Sequence, residues 1–197
     1  MKIVTRIIVL VVIFAGGLYC GKLFFGRKTD IPAPAPTYFN QSSGSDDSVG
    51  MGAGTITGKI LEVRKGQSIQ EAVGKANPGD LIRVFAGSYH DTVYIDKDNV
   101  SIQGVIDDGE WPTVDGEKKV NDAILYSGNG TLVENMKITN YKGNGIMGQA
   151  GNNYVIRNNW IVDTGLYGIF PQFGKNGLVE RNILPGIEDA AIYIGMC

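Results

Sequence analysis

The chain is 197 residues long, carries a formal net charge of −2 and is 43% hydrophobic. That balance excludes the basic footprint of a nucleic-acid binder and the charge of an acidic low-complexity tail, and 28 glycines point to many short strands and turns rather than long helices. Two cysteines, Cys20 in an apolar run and Cys197 at the last position, together with the one histidine, His90, are too few for a disulfide framework or a four-ligand zinc site.

Residues 1–28 read as a signal anchor with basic flanks. No charge interrupts Ile7 to Gly21, and snorkelling by Lys22 extends the apolar run to Phe25, so residues 7–25 are expected to lie in a membrane. Lys2 and Arg6 on one side and Lys22, Arg27 and Lys28 on the other leave the orientation unsettled by charge. With the short N-terminal flank taken as cytoplasmic, the bulk of the chain is extracytoplasmic, in a periplasm or at a cell surface. Tyr19 before Cys20 argues against signal cleavage and lipidation there. Residues 29–56, proline-alanine rich and then rich in serine, aspartate and glycine, bury too little apolar surface to order and read as a tether.

The domain, 57–197, opens with the strand-like TITGKILEV. Ser68 and Glu71 then form a capping box, and Ile69, Ala72, Val73 and Ala76 make one apolar helical face that ends at Asn77-Pro78-Gly79. The runs LIRVFAG, TVYI and VSIQG follow, with β-branched residues at alternate positions, as strands require. The tract DDGEWPTVDGEKK reads as a solvated excursion. Its Asp107, Asp108 and Glu110 lack the spacing of a calcium loop.

From Leu132 onward the sequence repeats itself at a shift of about 23 residues. Val133, Ile156 and Val179 coincide, then Ile138, Ile161 and Leu184, then Ile146, Ile169 and Ile192. Such a period predicts a solenoid, each strand pairing in parallel with its equivalents one coil before and after. Asn159 and Asn182 align at a turn, where left-handed backbone and an amide bond to the next rung are expected, with Met136 breaking that ladder one coil earlier. Glu134, Arg157 and Glu180 align as an outer charge ladder, and Trp160 aligns with Lys137 and Ile183 as partly exposed packing. Phe170 reads as an interior aromatic and His90 as a surface histidine.

SIQEAVGKANPGDLIRVFAGSYHDTVYIDKDNVSIQG resembles the capping helix and first turn, and LVENMKITN, VIRNNWIVDTGLYGI and LVERNILPGIEDAAIYIG resemble the repeats, of right-handed parallel β-helix proteins of the pectate-lyase-like superfamily. The resemblance implies an all-β, single-stranded right-handed parallel β-helix with a short N-terminal capping helix, and a role in binding or processing polysaccharide, including acidic polysaccharide. Lyase members use calcium with an arginine or lysine base, and hydrolase members use paired carboxylates. Calcium is therefore implied by the resemblance alone.

Aligned by the period, Lys142, Asp163 and Glu188 converge on one turn as the candidate catalytic group, and Gln149, Tyr167 and Gln172 as the candidate substrate-binding group. LYGIFPQFG resembles a tract of alginate epimerase-type β-helices but keeps only the proline of their Asp-Pro-His-Asp motif. The competing reading is a non-enzymatic scaffold. The chain stops at AAIYIGMC, at a strand position with nothing to cover the last coil, which predicts either a longer protein or an end-to-end partner on the open coil.

Overall fold

The structure is a computed structural model that describes residues 12–14, 17–19 and 56–196. In the first of two compact units, β1 (Val12–Phe14) and β2 (Gly17–Tyr19) pair antiparallel, Val12 opposite Tyr19. The remainder of the expected anchor, both cysteines and the tether up to residue 55 lie outside the described residues. No helix among the described residues is long and apolar enough to cross a membrane.

The second unit is a right-handed parallel β-solenoid of about six turns. Each of the four coils that begin with the strands starting at Leu81, Ser101, Leu132 and Val155 contributes one strand to each of three parallel sheets, and the coils at either end contribute fewer. The first, six-stranded, contains β3 (Ile60–Val63), β4 (Leu81–Phe85), β7 (Ser101–Val105), β10 (Leu132–Glu134), β13 (Val155–Arg157) and β16 (Leu178–Glu180). The second, four-stranded, contains β5 (Gly87–Tyr89), β8 (Pro112–Asp115), β11 (Lys137–Thr139) and β14 (Trp160–Val162). The third, five-stranded, contains β6 (Val93–Ile95), β9 (Ile124–Tyr126), β12 (Ile146–Gln149), β15 (Tyr167–Gln172) and β17 (Ala190–Ile192).

The register expected from the period is the observed one. Val133 pairs with Ile156 and Ile156 with Val179; Ile138 pairs with Ile161; Ile146 pairs with Ile169 and Ile169 with Ile192. The coils before Leu132 differ in length, so a constant shift does not find their partners: Ser101 pairs with Leu81 behind it and with Leu132 ahead. Ile82, Ile102, Val133 and Ile156 stack in the interior with no exposure. Each such side chain, fully buried, stabilises the fold by about 1.5–3 kcal/mol.

DDGEWPTVDGEKK is only partly an excursion. Asp107 and Glu110 close a tight turn over Asp108 and Gly109, both at positive φ, but Pro112–Asp115 is a strand of the second sheet, Thr113 opposite Lys137, and Trp111 is buried. The charged residues on both sides concealed a strand whose only inward β-branched residue is Val114.

The helix α1 (Ile69–Lys75) covers the first coil, burying Ile69 and Val73. Ser68 Oγ accepts from the Glu71 amide, as a capping box requires, and the next coil holds both helix ends. The Asp91 carboxylate accepts from the Ile69 amide at 2.7 Å and the Ser68 hydroxyl at 2.9 Å. Lys97 Nζ donates to the carbonyls of Val73, Gly74 and Ala76 at 2.7–3.1 Å, placing a cation on the acceptors at the helix C-terminus.

Each corner between sheets is closed by side-chain amides or carboxylates bonding from coil to coil. Between the first and second sheets, Asn182 Oδ1 accepts from the Asn159 amide and Nδ2, and Asn159 Oδ1 accepts from the Met136 amide, where the ladder ends. Asp122 and Asn144 do the same between the second and third sheets, and Asp98, Asn129 and Asn152 between the third and the first. The left-handed residues are not Asn159 and Asn182, as expected from sequence, but the residues before them. Asn135, Asn158 and Arg181 have φ of 58°, 54° and 52°. The left-handed residue turns the chain through the corner, and the next one then points inward to satisfy backbone groups the corner has broken from the ladder.

Asn159→Ala is expected to cost about 1–3 kcal/mol for each backbone group it leaves unsatisfied, measured by chemical denaturation; a loss under about 0.5 kcal/mol would contradict the corner-ladder account. Asp80, buried, is held below the usual aspartate range by the amides of Asn77 and Lys59. Ionised Asp80 therefore contributes stability fully above the ordinary aspartate pKa, and that contribution is lost as pH falls through the lowered value. Denaturation midpoints should fall on acidification below about pH 4, and by less in Asp80→Asn; identical profiles would contradict the assignment.

Candidate functional site

The third sheet turns alternate residues of each strand inward, Val93, Ile124, Ile146 and Ile169 on successive rungs, and a continuous row of apolar side chains outward. Tyr94 pairs with Leu125, Leu125 with Met147 and Met147 with Phe170. Tyr193, one position after Ile192, continues the row. Phe170 is thus on the outer face, half-buried, and the interior position belongs to its neighbour Ile169, which has no exposure. This corrects the interior reading of Phe170: the strand alternates at this point, and only one of two adjacent large apolar residues can face in.

Tyr167 joins the row from the side. Its ring meets Phe170 edge-on at 4.7 Å between centroids and stacks on Tyr193 at 4.9 Å, 15° from parallel, while Phe170 and Tyr193 are 5.2 Å apart. Burial in this cluster, then the neighbouring Asp189 carboxylate, push the Tyr167 phenol above its ordinary pKa. Tyr94 and Tyr193 are 41% and 47% exposed, so the row is accessible to a ligand at both residues.

Polar rows flank the apolar one. Gln149 pairs directly with Gln172, and the same register carries back to Ser127, whose hydroxyl lies 2.9 Å from the Tyr94 phenol. On the other side stand Asp122, Asn144 and Tyr167, linked by bonds from Asn144 to Asp122 and from the Tyr167 amide to Asn144 Oδ1. The candidate substrate-binding residues Gln149, Tyr167 and Gln172 therefore border one outward face.

Lys142, Asp163 and Glu188 all lie on the corner leading into that sheet. The Gly165 amide bonds the Tyr141 carbonyl and the Glu188 amide bonds the Thr164 carbonyl, so Lys142, Gly165 and Glu188 occupy successive rungs. A Cβ at Gly165 would collide with the Lys142 carbonyl oxygen, which keeps the middle rung free of a side chain. Lys142 and Glu188 are exposed and stand two rungs apart, about 9.6 Å. Asp163 sits two residues earlier in left-handed backbone, φ 56°, between Asn140 and Gly186. Its carbonyl accepts from Lys118 Nζ. The corner thus gathers the three residues without bringing Lys142 and Glu188 onto adjacent rungs.

Other features do not form a second constellation. His90 is exposed, Nδ1 3.2 Å from the Asp115 carbonyl and 3.7 Å from the Glu117 carboxylate. It borders a recess of about 610 Å³ between α1, β3 and β5, where the Asp91 carboxylate is engaged by the helix N-terminus. Arg157 bonds Glu134 at 2.6 Å, Gln103 bonds the same carboxylate, and Glu180 bonds Arg181, so the charge ladder is a feature of the first sheet's outer surface. Trp160 is half-buried, edge-on to Trp111 at 6.0 Å, with the Lys137 ammonium 4.1 Å over its ring. Among the described residues no three histidine, cysteine, aspartate or glutamate side chains are grouped to hold a metal ion.

Sequence reasoning missed Tyr94, Leu125, Met147 and Tyr193. Met147 and Tyr193 carry a signal, since both fall in the 23-residue register of Phe170. Tyr94 and Leu125 do not, because their coils depart from the period.

A family model described as a right-handed beta helix region matches residues 84–196. No curated protein matches the chain.

Phe170→Ala is expected to cost about 1–2 kcal/mol and to alter the near-UV circular dichroism of the tyrosine cluster. Lys142→Ala and Glu188→Ala should each change stability by less than about 0.5 kcal/mol. Equal losses in all three variants would contradict the division into a packed row and a solvated corner.

Proposed function

The chain belongs to the right-handed β-helix family, and on that premise we propose that it binds polysaccharide along the outer face of its third sheet. The observation that carries this reading is the aromatic cluster of Tyr167, Phe170 and Tyr193 beside the paired amides of Gln149 and Gln172. A pyranose ring presents an apolar face of C–H bonds and a rim of hydroxyls. An apolar row flanked by amides, hydroxyls and carboxylates complements both at once, the usual composition of a ligand site.

The apolar run at residues 7–25 and the Pro/Ser/Gly-rich residues 29–56 support a domain held at the outer side of a membrane. Binding is better supported than cleavage. Processing would fall to Lys142, Asp163 and Glu188, and the two-rung separation of Lys142 and Glu188 does not favour a proton relay between them.

A second reading, a non-catalytic scaffold, is equally consistent with the right-handed β-helix fold.

Native electrophoresis of the chain in gels containing polysaccharides distinguishes these. Retardation is expected, weakened about fivefold in Tyr193→Ala, which removes one aromatic contact of about 1 kcal/mol. Release of unsaturated uronate ends, followed by absorbance and abolished in Lys142→Ala, would establish processing. A mobility unchanged by every glycan would contradict the proposal and favour the scaffold.

A further inference from the structure

The charge of the third-sheet face limits which polysaccharide it takes. In the apolar row and the two polar rows beside it, the ionisable carboxylates are Asp122, Asp96, one position past Ile95, and Asp91, two positions before Val93 and bonded to the start of α1; Asp189 lies against Tyr167. No lysine or arginine occupies these rows among the described residues. Lys97, next to Asp96, directs its ammonium at the carbonyls closing α1. Lys142 and Lys175 stand on the corners before and after the sheet.

We infer that the glycan bound by this face is uncharged and lies along the solenoid axis, crossing the rungs through Tyr94, Leu125, Met147, Phe170 and Tyr193. This rests on the reading of the third-sheet face as a glycan site. A polyuronate carries a carboxylate on every residue. Along this row it would meet Asp96 and Asp122 and no basic partner, an arrangement that repels it rather than steering it in. A neutral polymer meets no such barrier: its hydroxyls donate to the carboxylates and exchange bonds with Gln149, Gln172 and Ser127, while its C–H faces lie on the apolar row. Five rungs at the strand spacing give a track of about 19 Å, room for a few pyranose rings. An extended peptide is the less suitable occupant. Every internal strand of this sheet is already paired on both sides, so its face offers no backbone edge for strand addition.

The test uses the full chain in native gels containing neutral polymers (laminarin, hydroxyethylcellulose, galactomannan) or acidic ones (polygalacturonate, alginate, hyaluronate), each at low and high salt. The expected result is retardation by at least one neutral polymer, unchanged between the two salt concentrations, with acidic polymers at least tenfold weaker. Gln149→Lys places a cation in the exposed amide row, and acidic polymers should then gain at least threefold at low salt relative to neutral ones. Stronger retardation of the unaltered chain by a polyuronate, lost at high salt, overturns the inference and leaves the glycan reading standing. Retardation by neither class overturns both, with a protein surface left as the occupant of the row.

Discussion

Each coil of this solenoid leaves its strand backbone to be bonded by the coils on either side, and everything else in the molecule depends on keeping that rung-to-rung register. A strand here has no partner within its own coil; Val155, for instance, pairs back to Leu132 and forward to Leu178. The corners are where such stacking is most at risk, because a chain turning between sheets pulls its amides and carbonyls out of the ladder. The structure meets that risk twice at the corner between the first and second sheets. A left-handed residue makes the bend, and the inward amide that follows it restores the broken bonds.

This division of labour explains what the sequence made legible and what it did not. The Asn158-Asn159 and Arg181-Asn182 pairs repeat at the coil period, so the amide ladder is visible in the alignment. Which member of each pair bends the backbone is not, since asparagine suits both tasks and the arginine at 181 suits neither on propensity grounds. The interior was readable wherever β-branched residues recurred at 23. It failed at Ile169-Phe170, where two adjacent large apolar residues cannot both face inward and volume alone does not say which does. It failed also at Pro112–Asp115, where a strand carries few β-branched residues and lies between charged turns. The candidate site suffered the same limit. Its half built from coils of constant length, Gln149 with Gln172 and Tyr167 beside Phe170, was in view, whereas Tyr94 and Leu125 come into line only once the unequal earlier coils are folded.

At the first coil, α1 lies over the opening, with Asp91 and Lys97 of the following coil fixing its two ends. Beyond it the same register that builds the core also lines up the outward residues, so that a row of apolar side chains follows as a geometric consequence of period. On the first sheet the outward row is a charge and amide ladder. On the third it is apolar with polar margins. Fold and site are therefore products of one constraint: a repeat that places Ile169 inside places Phe170 outside, one rung from Met147 and one from Tyr193.

The measurement that bears most directly on this account is a methyl spectrum of the chain with its methionines labelled, titrated with the neutral polysaccharide that retards it most. Met147 lies on the outward row of the third sheet and Met136 in the sealed corner of the interior, so the two report on the face and the core separately. The account predicts that the Met147 methyl signal shifts on saturation while that of Met136 stays in place. A bound polysaccharide that leaves Met147 unmoved would contradict it.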